Sequence, residues 1–189
     1  NMGLAYSSVN QHTEAIRCHQ ITLEICTKKN LVFGIALAES NIGDELIKSN
    51  RYSEALNHLI LSKKESEKNG FDNFLGQIYK NLAEVHWQQK RQDSAVFYLN
   101  KSIAVSEKIN DQNALLLAND LLHRYHANQN NYKMAYQTLL NFNSVNQNIF
   151  NKEKQNSIAE ISTKYETEKK EAQIKALSQQ KKIADLESQ

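Results

Sequence analysis

Between Asn41 and Leu59, Ile42, Gly43 and Leu46 form one helical edge and Ala55 and Leu59 a second, separated by the polar turn Ser49-Asn50-Arg51-Tyr52. Apolar and small residues three and four apart predict two helices joined as a hairpin. A single hairpin of this kind cannot bury both edges by itself. The pattern returns forty residues away in each direction, because Ala15, Ala55, Ala95 and Ala135 fall in register. The chain therefore reads as an array whose interior is made by neighbouring hairpins.

The first unit is partial and spans about residues 1–30. Met2, Gly3 and Tyr6 match Ile42, Gly43 and Leu46, so residues 1–8 read as the second half of a helix cut from a longer protein. After a turn at Val9 to His12, Thr13 is expected to cap a helix carrying Ala15, Ile16, Leu23 and Ile25. The second unit, residues 31–70, has a first helix near Val32 to Lys48, a second opened by Ser53, and a C-cap signal at Asn69-Gly70. In the third, residues 71–110, Tyr79, Leu82, Ala83 and His86 form the packing edge, and Asp93 is expected to cap the helix of Ala95, Val96 and Leu99. The fourth, residues 111–150, carries Leu121, Leu122 and His126, then Ala135, Leu139 and Phe142, with His123 where Gly3, Gly43 and Ala83 stood. Those positions are small because two helices crossing at about 8–10 Å leave no room for a long side chain.

The pattern apolar-small-x-x-aromatic followed by Ala-x-x-x-apolar resembles the tetratricopeptide (TPR) repeat. It stands as Met2-Gly3-x-x-Tyr6 with Ala15, Ile42-Gly43-x-x-Leu46 with Ala55-x-x-x-Leu59, and Leu82-Ala83-x-x-His86 with Ala95-x-x-x-Leu99. The resemblance covers residues 1–150 and implies an all-α, right-handed TPR superhelix of about four antiparallel hairpins. It departs from the family in its period of forty against the usual ~34, in lacking the closing Pro, and at His19 and His123.

Beyond Phe150 the period fails, with Thr163 and Lys175 where the small residue and Ala would recur. Ile158, Ile161, Tyr165 and Ala172 follow a/d spacing instead, and Ala176, Ile183 and Leu186 resume it after an eleven-residue step. Residues 151–189 are expected to form one long helix, of which Ile158 to Tyr165 caps the last repeat and the rest continues as a coiled-coil linker. The stretch Lys164-Tyr165-Glu166-Thr167-Glu168-Lys169-Lys170-Glu171 after forty-residue repeats resembles a junction in bacterial membrane-anchored sensors. In those proteins a TPR region precedes a coiled coil, a transmembrane helix, and a histidine kinase or helix-turn-helix output domain. The resemblance implies a signal-transduction parent of the two-component kind, an inner-membrane anchor outside this chain, and an array facing the periplasm, the alternative being a cytoplasmic location.

Composition narrows the picture. Of 189 residues, 40% are apolar and 23% charged, Pro is absent, and all five glycines lie at or before Gly76, which leaves neither linkers nor strand-like alternation. Lys plus Arg number 23 against 21 for Asp plus Glu, a net charge of +2, so no global field concentrates nucleic acid or anionic membrane. The longest apolar run, Ala114 to Ala118, falls far short of the ~20 residues of a membrane span. Cys18 and Cys26 stand about 12 Å apart along one helix, beyond disulfide reach.

On the TPR resemblance, the first helix of each repeat lines the concave face. That assigns Ser40, Asn41, Asp44, Ile47 and Lys48 from the second repeat, Lys80, Asn81, Glu84, Trp87 and Gln88 from the third, and Asp120, Arg124, Ala127 and Asn128 from the fourth. Asn41, Asp44, Lys48, Lys80, Asn81, Glu84, Trp87, Gln88, Asp120, Arg124 and Asn128 are the candidate peptide- or protein-binding residues, with Trp87 either an exposed anchor or packed between helices. They lack the full basic and Asn set with which some TPR adaptors grip a C-terminal carboxylate. His123 and His126, one turn apart beside Asp120, are read as packing and surface histidines, since a zinc site needs further convergent ligands. No phosphate loop, nucleophile elbow or catalytic pair is present in the sequence. No enzyme, cofactor or metal is expected, and nucleic acid is not, because Ser40, Lys80 and Asp120 differ in charge at one repeat position. The expected partners are a peptide or protein in the groove and a second copy along the C-terminal helix. The alternative is a stand-alone TPR scaffold without an output domain.

Overall fold

The computed structural model describes the backbone of residues 2–187; the side chains of Ala176 and of residues 179–187 lie outside the described set. The helices are α1 (Met2–Ser8), α2 (His12–Lys28), α3 (Val32–Lys48), α4 (Tyr52–Asn69), α5 (Asp72–Gln88), α6 (Gln92–Lys108), α7 (Gln112–Asn128) and α8 (Tyr132–Glu187). The described residues are helices and short turns, as the forty-residue pattern requires. Two compact units divide within α8, Asn1–Val145 and Asn146–Gln189.

What stops each helix is a single backbone event repeated every twenty residues. Asn10, Asn30, Asn50, Gly70, Lys90, Asn110 and Asn130 all take positive φ, between 52° and 69°. Asn and Gly tolerate this left-handed region better than other residues, Asn because its short side chain bonds locally. At Asn50 the amide donates to the Ile47 carbonyl (2.9 Å) and the next amide, Arg51, to the Leu46 carbonyl (2.8 Å). The same pair recurs around Asn10, Asn30, Lys90, Asn110 and Asn130. This double bond pattern satisfies two carbonyls that the helix end would leave open.

The helix starts differ from expectation. Thr13, Ser53 and Asp93 lie inside their helices, and the residues flanking the starts are Gln11, Arg51 and Arg91, none with a side-chain capping bond. The preceding left-handed turn already fixes where the next helix begins, as the Ala55 amide bonding the Arg51 carbonyl (3.0 Å) illustrates. Asp111 is different: its carboxylate accepts from the Ala114 amide at 3.0 Å.

Helix α8 also differs. The long helix expected over residues 151–189 begins earlier, since α8 runs without interruption from Tyr132 to Glu187. Phe150 occupies the next step of twenty, and a bulky aromatic residue resists the left-handed conformation that Asn or Gly supplies elsewhere. Ile158, Ile161 and Tyr165, expected to cap the last repeat, are 58%, 66% and 64% exposed. Ala176, Ile183 and Leu186, the later a/d positions, lie outside the described side chains.

Within Asn1–Val145 the hairpin register matches the sequence pattern. Ala15, Ala55 and Ala95 are fully buried and Ala135 is buried. One core cluster joins Ile16, Ile42, Leu46, Leu59, Ile78 and Leu82, and another joins Ala83, Leu99, Ala118, Leu122 and Tyr125, so each interior is shared between repeats. Ile25 is 49% exposed while its neighbour Cys26 is buried, because one residue along a helix turns a side chain by about a quarter of the circumference. Buried serines tie two of the hairpins across their crossings: Ser62 Oγ donates to the Ala36 carbonyl (2.7 Å), and forty residues on Ser102 Oγ donates to the Gly76 carbonyl (2.8 Å). The first helices of successive repeats, α3, α5 and α7, also touch one another. They present one continuous face.

Candidate functional site

On that face Asp44, Ile47 and Lys48 from α3, Lys80, Asn81 and Glu84 from α5, and Leu117, Asp120, Leu121 and Arg124 from α7 surround one open cavity of about 320 Å³. Seven of the candidate binding residues meet here. Their spacing explains the meeting, since residues four apart on one helix share a face and equivalent residues of neighbouring repeats stand side by side.

The side chains form a partly satisfied polar network. Lys48 Nζ bonds Asp44 Oδ2 (2.7 Å) and Glu45 Oε1 (2.8 Å), and donates to Ser7 Oγ at 3.0 Å. Asn81 is buried; it receives a bond from Gln77 Nε2 (2.8 Å) and donates to Asp44 Oδ1 (3.1 Å), linking α5 to α3. Glu84 accepts from Gln88 Nε2 (2.9 Å) and from the Tyr125 hydroxyl (3.0 Å), linking α5 to α7. Arg124 pairs with Asp120 at 2.8 Å. Three carboxylates and three cations line the cavity, so its formal charge is zero.

Lys80 stands apart. It is half-buried at the centre of the face, and among the described residues its ammonium has no hydrogen bond or ion pair. Burial pulls its pKa below the ordinary lysine value, against the opposing pull of Asp44 and Glu84. Lys48 behaves oppositely: burial would lower it, but the bonds to Asp44 and Glu45 prevail and raise it.

The remaining candidates do not line the cavity. Trp87 lies flat on Tyr125, ring centroids 3.9 Å apart and planes within 6°, and is half-buried. It packs between neighbouring repeats and is not an exposed anchor. Asn41 is half-buried on α3, while Gln88 and Asn128 are exposed at the ends of α5 and α7. Of the flanking positions, Ser40 is buried.

Leu117 and Leu121 were not among the candidates. Leu117 is 52% exposed, and its signal in the sequence was an apolar residue one turn before Asp120 on the same face. Below the face, Glu45 is almost fully buried and accepts from Ser7 Oγ (2.5 Å) and Lys48 and bonds His12 Nδ1 (2.8 Å). Burial alone would raise its carboxyl pKa; the bonds from Lys48, Ser7 and His12 overcome that and lower it. Glu39 is likewise buried against His58 Nδ1, 2.5 Å away. Nothing in the local sequence distinguishes these carboxylates from surface ones.

His123 Nδ1 lies 2.9 Å from the Ala135 carbonyl, to which it donates, and His126 is buried. Among the described residues no three His, Cys, Asp or Glu converge as metal ligands, and no helix is long and apolar enough to cross a membrane.

No family model matches the sequence, and no curated protein matches it significantly. Solved structures match its fold. BtubC (BKLC) from P. vanneervenii is 12% identical with a TM-score of 0.70, over 78% of this chain and 61% of that one. A Rap protein complexed with Competence and Sporulation Factor is 18% identical with a TM-score of 0.70, over 76% of this chain and 40% of that one. The Podosopora anserina kinesin light chain with nearly identical TPR-like repeats is 16% identical with a TM-score of 0.59, over 78% of this chain and 72% of that one. The chain thus spans less than two thirds of the first two. The fold is that of TPR-like repeat proteins.

Proposed function

We propose that this chain is a peptide- or protein-binding TPR module, and that it serves as the sensory or interaction region of a bacterial signal-transduction protein. The observation that carries the binding part is the cavity shared by α3, α5 and α7, where exposed Leu117 stands among charged groups from three repeats. A peptide laid across three helices buries apolar surface on Leu117, Leu121 and Ile47 while polar groups fix its register. Support for the fold's capacity comes from the Rap protein solved with Competence and Sporulation Factor.

A random dodecapeptide display library panned on the purified chain tests the binding part. Enriched peptides should lose binding to Leu117→Asp and keep it on Lys64→Ala, which is exposed on α4 and outside the cavity. Absence of any enriched peptide would remove the reading.

The signalling part rests on the Lys164 to Glu171 resemblance and on α8, whose Ile158, Ile161 and Tyr165 leave an apolar stripe exposed. A second copy along that stripe would form a coiled-coil linker. Sedimentation equilibrium of the chain against an Ile158→Asp, Ile161→Asp variant reads the pairing. Reading the gene past Gln189 separates the parent from its alternative, a stand-alone scaffold: about 20 apolar residues and then a kinase or helix-turn-helix pattern support the first, an immediate stop codon the second.

A further inference from the structure

Among the described residues, every charged group lining the α3–α5–α7 cavity has a hydrogen-bond or ion-pair partner except Lys80. Asp44 is held by Lys48 and Asn81, Glu84 by Gln88 and Tyr125, and Asp120 by Arg124. A ligand settling over this cavity removes the water that now solvates the Lys80 ammonium. An ammonium desolvated without an acceptor is strongly unfavourable, so the ligand that binds must itself bring one. The strongest acceptor is an ionised carboxylate, whose bond to an ammonium is about twice as strong as a neutral one.

Position decides which carboxylate. Lys80 is on the middle helix, with Ile47 on α3 to one side and Leu117 and Leu121 on α7 to the other. A chain whose apolar side chains contact both flanks passes over Lys80 and continues. Its acidic group is therefore an internal side chain and not a terminus. We infer that the groove selects peptides carrying an internal Asp or Glu, seated on Lys80 and flanked by apolar residues on Ile47 and on Leu117 and Leu121.

This rests on the peptide-groove reading and sharpens it. The neighbouring carboxylates do not forbid the pairing, since each already carries a hydrogen bond from a cation or neutral donor and the cavity's formal charges balance. They do make the site demanding: a second acid close by on the ligand would face Asp44 and Glu84 with no further unpaired cation among the described residues of the cavity.

The test uses the intact chain and the same random dodecapeptide display library, scored for residue enrichment by position. Enriched sequences should share one internal Asp or Glu with apolar neighbours. A synthetic copy with that acid changed to Asn or Gln should bind about tenfold to a hundredfold more weakly, the range of a hydrogen bond to a charged group. Lys80→Met, which keeps the aliphatic stem, should weaken the acidic peptide by a similar factor and leave the amide copy unchanged. Lys80→Arg should retain most of the binding, and circular dichroism checks that both variants fold. Enriched peptides indifferent to acid, or equal affinity of the acidic peptide for Lys80→Met, would overturn the inference while leaving peptide binding in place. Affinity lost on C-terminal amidation but not on Asp→Asn or Glu→Gln change would overturn it in favour of a terminal carboxylate. No enriched peptide of any kind would overturn the groove reading and this inference together.

Discussion

Gly43 and Leu59 meet at the crossing of α3 and α4 so closely that a Cβ on Gly43 would lie 2.7 Å from Leu59 Cγ and Cδ2. Leu59 is fully buried and cannot swing into solvent. Gly43→Ala gains about 1 kcal/mol of helix propensity and meets an overpacking cost of about 1–3 kcal/mol. The variant should be less stable by about 1 kcal/mol, read as a lower urea midpoint with an unchanged slope. A raised midpoint would mean that the crossing has slack.

Lys90 is the one non-Asn, non-Gly residue among the described residues held at positive φ, at 61°. Its side chain is exposed, and its amide bond to the Trp87 carbonyl (3.0 Å) survives substitution. Lys90→Gly removes a steric cost of about 1 kcal/mol and should raise the urea midpoint. Asn50→Ala, which imposes that cost at an equivalent turn, should lower it.

The Trp87–Tyr125 stack joins the third and fourth repeats. Trp87→Ala should cost about 2 kcal/mol or more of stability, less than a fully buried tryptophan because one face remains accessible. Gln88→Ala, exposed beside it, should leave the urea midpoint within about 0.5 kcal/mol of the parent. Since Trp87 is the single tryptophan, its fluorescence also reports unfolding of this joint directly.

Three buried histidines set a pH window. His19 Nε2, His86 Nδ1 and His126 Nδ1 are buried without a hydrogen-bond partner, and burial lowers the pKa of all three below 6.5. The unfolded chain therefore takes up protons first as pH falls through about 6.5, and folding stability declines with it. The urea midpoint should drop between about pH 7.5 and about pH 5.5, and His126→Phe should flatten the slope. Glu45 acts lower down: its lowered carboxyl pKa contributes stability above the ordinary value of 4.5 that is lost as pH falls through the folded value. Glu45→Gln should flatten that acidic limb.

The hairpin register was legible from residues alone. Ala15, Ala55 and Ala95 recur because each stands at a crossing where backbone approach excludes larger side chains, and such a requirement prints itself on the sequence at every repeat. The turns at Val9 to His12 and Ser49 to Tyr52 and the C-cap at Asn69-Gly70 were equally legible, although the capping pattern around Thr13, Ser53 and Asp93 pointed two residues too far along. Counting from the small residue placed Asp44, Lys80, Glu84 and Asp120 on one face, and in the structure they line one cavity. Counting left Trp87 open between an exposed anchor and a packed residue, because its stacking partner Tyr125 lies thirty-eight residues away in sequence.

By itself, then, the sequence determined the helices, their pairing and the side each presents, because those follow from spacing along one helix and repetition between neighbours. Only the tertiary structure decided that Glu39 and Glu45 are buried, that α8 passes Phe150 without turning, and that Lys80, among the described charged groups of its cavity, makes no ion pair or hydrogen bond. Ion pairing depends on where flexible side chains from different repeats come to rest, and a difference of an ångström or two decides whether two charges bond. No periodicity records that distance.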